Sequence, residues 1–191
     1  MQSILRRRTA TLTLALVALL SLLSGCAPDQ PSPPAPTSSL EKNPFPSDDE
    51  ALAAAQATYE RFMALTKQIA NEGGLAPERI DDLATPEVAS TEKEGFADFA
   101  ARKLKITGDS IVRSAVLQSY SPRAAEGRAI VTGYFCIDVS GVDVLDENGT
   151  SVVQPSRPDT TPYEVAFDLV ANDPTRLIVS TKNVWRGEGV C

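Results

Sequence analysis

The sequence predicts an α+β domain, with N-terminal helices packed on a curved antiparallel sheet of about four long strands. Three observations carry this. Apolar residues recur at steps of three and four from Leu52 to Ile69, the spacing of one helical face. From Ser110 onward the period falls to two, the alternation of half-buried strands. Residues 47–191 have ordinary globular composition and, at about 145 residues, are enough for one core. Helices followed by a run of strands, rather than the two alternating, define the α+β class.

Each element has its own local reason. Ser47 with Glu50 three places on reads as a capping box, and Asp48 and Asp49 favour the positive end of the helix that follows. The stripe Leu52, Ala55, Tyr59, Phe62, Thr66 and Ile69 forms its inward face, and Asn71-Glu72-Gly73-Gly74 ends it. Pro77 suits the first position of a short helix to about Leu83. Thr85-Pro86-Glu87 starts a third helix, which carries Val88, Phe96, Phe99 and Leu104 inward and stops by Thr107-Gly108. Strands are expected at about 110–120, 128–145, 163–171 and 176–186. In the second, Gly133, Phe135, Ile137 and Val139 should face the helices, and Tyr134, Cys136, Asp138 and Ser140 the other side. Asn148-Gly149 predicts a small hairpin joining 142–145 to 150–153, and Asn172-Asp173-Pro174 turns the chain into the last strand. This order, with the Tyr59-Phe62 helix and the Trp185…Cys191 ending, resembles the NTF2-like (cystatin-like) cone. In particular it resembles small lipoproteins of high-GC Gram-positive bacteria that carry that domain.

Ahead of the domain lie two segments of different composition. Arg6-Arg7-Arg8 is followed by an uncharged apolar run over 9–23, short of the roughly twenty residues a permanent span needs. A basic head, a short apolar middle and a small-residue exit describe a secretory signal peptide over 1–25. The exit Leu23-Ser24-Gly25-Cys26 resembles the lipobox of bacterial lipoproteins. That resemblance implies a diacylglyceryl thioether on Cys26, cleavage just before it, and a chain held at the outer face of the membrane. The alternatives are an ordinary secreted protein with a stray cysteine and an uncleaved anchor. Residues 26–46 carry prolines at 28, 31, 33, 34, 36, 44 and 46 and read as a linker. At about 3.1 Å per residue in polyproline II it would reach roughly 50–60 Å.

Charge and cysteines narrow the partners. The chain carries 18 basic and 25 acidic residues, a net −7. Losing the three signal-peptide arginines would leave about −10, which disfavours nucleic acid and anionic lipid. With Cys26 consumed by lipid, Cys136 and Cys191 remain, and an even pair in an oxidising compartment reads as one disulfide. Two free buried thiols are the alternative. No C-x-x-C spacing is present, which argues against catalytic thiol chemistry.

Catalytic signals are sparse. The sequence has no histidine, which removes Ser-His-Asp and Cys-His mechanisms and histidine-rich zinc sites. No glycine-rich phosphate loop follows a strand. Reading Asp146-x-Asn148-Gly149 as a calcium loop would put Val144 first and Pro155 twelfth, where acidic ligands are required. No metal or cofactor is therefore expected. The NTF2-like resemblance implies isomerases and dehydratases with an acid inside the cone, for which Tyr59, Tyr134 and Asp138 are the candidates here. Alternation places Tyr134 and Asp138 on the face away from the helices, against that assignment. Trp185 and Tyr163 could line a binding surface. The reading that results is a lipid-anchored, non-catalytic extracytoplasmic module binding a protein, an envelope component or a small apolar ligand. A small acid–base enzyme and an envelope spacer are the alternatives.

Overall fold

The computed structural model describes residues 43–191, so the expected signal peptide over 1–25, Cys26 and the linker up to residue 42 lie outside the described residues. Helix α1 runs Asp48–Asn71, a 3-10 turn Pro77–Asp82, and α2 Pro86–Ala101. Strands follow as β1 (Lys105–Thr107), β2 (Ile111–Tyr120), β3 (Val131–Asp138), β4 (Asp143–Leu145), β5 (Thr160–Val170) and β6 (Asp173–Val184). The long strands form one antiparallel sheet ordered β2-β3-β5-β6, and β1 pairs with β4 in a separate two-stranded ribbon. The fold is α+β, as the periodicities require.

The local signals act as expected at α1. The Ser47 side chain accepts from the Glu50 backbone N–H at 3.2 Å, capping the first turn. Gly73 and Gly74 both take φ +73°, which lets the helix end with Gly74 N–H bonded to the Ile69 carbonyl. Ala51, Ala55, Tyr59, Phe62 and Ile69 are buried, and Leu52, also expected inward, is only half-buried. They meet the inner face of the sheet, where Phe135, Ile137, Val165, Phe167, Leu177 and Val179 are buried. An aromatic chain holds the centre: Phe62 lies 6.1 Å from Tyr59, Tyr59 5.1 Å from Phe135, and Phe135 5.9 Å from Phe167. The register shifts between β2 and β3 and between β5 and β6.

Four expectations need correction. The strand expected over 128–145 is two strands, because the Asp138 carboxylate accepts from the Ser140 N–H at 2.9 Å and its hydroxyl at 2.7 Å. With Val142 N–H bonded to the Val139 carbonyl, the chain turns out of the sheet. The segment beyond the turn pairs with β1 instead. The helix expected to run on to Thr107 ends at Ala101, where Lys103 takes φ 52° and Lys105–Thr107 extends. Strand β5 begins at Thr160 rather than at 163, because residues 160–162 pair with Asp138, Ile137 and Cys136 of β3, and the Pro162 carbonyl still accepts from the Trp185 N–H. Phe45, read as linker, is buried in the core against Tyr120, whose hydroxyl accepts from its N–H and donates to its carbonyl. The hairpin at Asn148-Gly149 is present but short. It rests on Leu145 opposite Ser151 and on Val152 N–H bonded to the Val144 carbonyl.

Candidate functional site

The inner side of α1 does more than fill the core. Along Tyr59, Phe62, Met63, Thr66 and Lys67 it forms one wall of a groove of about 260 Å³. The opposite wall comes from the β1–β4 ribbon, through Ile106, Val142 and Val144, and Lys182 closes the end nearest β6. Side chains of α1 hold the ribbon to the helix. Asn71 accepts from the Ile106 N–H at 2.7 Å and donates to the Ile106 carbonyl at 2.9 Å, as a neighbouring strand would. At the far end Lys67 donates to the Gly108 carbonyl and to Asp109, each at 2.6 Å.

Polar side chains share the lining with the apolar ones: Tyr59, Glu60, Thr66, Lys67, Asp109, Ser110 and Lys182. Tyr59 is almost wholly buried, and burial first, then Tyr163 and Glu92, pushes its phenol far above the usual tyrosine range. Thr66 Oγ1 is buried with no partner among the described residues, an uncommon state for a hydroxyl beside a groove. Lys182 Nζ lies 5.3 Å from the Phe62 ring centroid and bonds Glu92 at 2.5 Å, with Glu92 only 12% exposed. This ion pair joins α2 to β6 beside the groove, which Lys182 lines.

The other candidates separate from this site. Asp138 and Tyr134 stand on the opposite face of the sheet from Phe135 and α1, as alternation predicts. Asp138 is occupied in its turn. The Ser140 hydroxyl, then the Ser140 N–H and the Arg113 charge, hold its carboxyl below the ordinary range. Asp146 is a turn residue, held low chiefly by the Thr150 N–H with help from Asn148. Cys136 and Cys191 are bonded, with Cα atoms 5.1 Å apart. Strand β5 lies between β3 and β6, so the C-terminal tail crosses it to reach Cys136. Trp185 packs on Tyr134, ring centroids 4.6 Å apart, on that same outer face. Tyr163 pairs with Phe135 on the inner face.

Sequence reasoning passed over Thr66 as a polar group, and over Glu92 and Lys182. Thr66 and Lys182 come from α1 and β6 and meet only along the groove, and Glu92 reaches Lys182 from α2. Among the described residues no group of acidic, cysteine or histidine side chains is placed to hold a metal, and no helix is long and apolar enough to cross a membrane.

No protein-family model matches the chain, and no curated protein does. Among solved structures it is similar to the intermembrane space region of the chloroplast protein ARC6. The identity there is 12% and the TM-score 0.49, covering 70% of this chain and 95% of that one. A de novo designed β-sheet protein shares 12% identity at a TM-score of 0.32, covering 74% and 92%.

Proposed function

We propose that the chain is a lipid-anchored extracytoplasmic binding module, tethered through Cys26, whose domain takes a small, largely apolar ligand into the groove between α1 and the β1–β4 ribbon. The groove is the observation that supports binding: Phe62, Met63, Ile106 and Val144 give it apolar walls, and Tyr59, Lys67, Asp109 and Lys182 are polar side chains along its lining. Sites for small molecules generally have this make-up, apolar walls with a few placed polar groups. The tether rests on the signal-peptide pattern and the Leu23–Cys26 motif, and the Cys136–Cys191 bond is in keeping with an oxidising compartment.

The second reading, a small acid–base enzyme, draws on Tyr59 with Glu92 nearby. It is less favoured because Glu92 is already matched by Lys182 and Asp138 faces away.

Binding of the neutral probe N-phenyl-1-naphthylamine to the full mature chain in detergent, followed by fluorescence, tests the groove. Met63→Trp should fill it and abolish binding while the melting transition stays cooperative. Thr66→Val should leave the unliganded melting temperature unchanged or slightly raised, since it deletes an unsatisfied hydroxyl. Undiminished probe binding in Met63→Trp would place the ligand elsewhere.

A further inference from the structure

Beyond Val184 the chain leaves the sheet and lies across its outer face. Trp185 still donates its N–H to the Pro162 carbonyl at 2.8 Å, and its ring then settles on Tyr134. Gly187 passes so close to the indole that a Cβ there would collide with it. The tail ends over β2 and β3, where Ser114 Oγ donates to the Val190 carbonyl at 3.2 Å and Cys191 bonds Cys136. Cys136 is 1% exposed beneath the tail, whereas Cys191 is exposed. Little else fastens the segment. Among the described residues the Val190 bond is its one hydrogen bond past Arg186, and the buried Trp185 Nε1 has no partner. An indole N–H left dry is a cost that undocking would relieve. Next to the tail, Val116 and Ile111 are already 50% and 62% exposed.

We propose, on the extracytoplasmic reading above, that residues 186–191 are a redox-released strap, held by one disulfide, whose opening by an extracytoplasmic dithiol uncovers the Trp185 indole and Cys136. One thiolate of the dithiol attacks the Cys191 sulfur. The Cys136–Cys191 bond breaks, and its electron pair leaves on the Cys136 sulfur, which takes a proton. The second thiol of the dithiol then displaces Cys191 from the mixed disulfide. The protein gains two thiols and the dithiol becomes a disulfide. Attack is directed to Cys191 because Cys136 is covered.

Trp185 is the sole tryptophan, so its fluorescence reports the strap directly. Dithiothreitol added to the full mature chain in detergent should raise acrylamide quenching several-fold and shift emission to the red. A cooperative melting transition should persist at a lower temperature. Cys191→Ser should show the open values without reductant and no further change with it. Quenching that is unchanged by reduction would overturn the proposal, because packing alone would then hold the strap. So would loss of the cooperative transition at 25 °C in both the reduced protein and Cys191→Ser, because the bond would then maintain the whole fold.

Discussion

Phe135→Ala should destabilise the domain by about 3–5 kcal/mol, the cost of a large-to-small change in a packed interior. Phe135 has no exposed surface and touches aromatic rings on both sides, Tyr59 of α1 and Phe167 of β5. Its removal opens a cavity where helix and sheet meet, and the rigid backbone of three paired strands limits how far neighbours can collapse into it. Against a typical total of roughly 5–15 kcal/mol this is a large share of the stability. The melting temperature should fall by roughly 10–20 °C. Calorimetry checks it: a fall of only a degree or two would mean that α1 does not pack on β3 as described.

Cys136→Ser should have the next largest effect. The bond joins residues 55 apart, and the chain-entropy relation gives about 4 kcal/mol for such a loop, an upper figure because native strain is neglected. The closed loop includes β5 and β6, so its loss frees a large part of the unfolded chain as well as the tail. Thermal melts should show the same decrease for Cys136→Ser without reductant as for the wild type with it, and reductant should not lower the variant further. A wild type indifferent to reductant would contradict the pairing.

Much of this fold is legible in local pattern, and the exceptions have a common cause. Ser47, the Tyr59-Phe62 stripe and Gly73-Gly74 define α1 because capping and amphipathicity are properties of neighbouring residues. The facing of Phe135 against Tyr134 and Asp138 also follows from alternation alone. Lys105–Thr107 could not be read as a strand, since three residues have no period and become extended only through β4 and Asn71. The break at Ser140 was hidden because alternation continues through it, and it is fixed by a side-chain bond from Asp138. Phe45 lies among prolines, and its burial depends on a Tyr120 hydroxyl 75 residues away. The groove is the extreme case. Thr66, Ile106, Val144 and Lys182 have no sequence relation to one another, and only the tertiary fold brings them to one cavity.

The anchor at Cys26 is the claim on which the placement of the whole module depends, and the intact mass of the protein extracted from membranes tests it most directly. The chain should start at Cys26, carry a diacylglyceryl group on that residue and be two hydrogens lighter for the Cys136–Cys191 bond. Cys26→Ser should instead give an uncut, unlipidated precursor. A wild-type mass equal to the full 191-residue chain without lipid would contradict it.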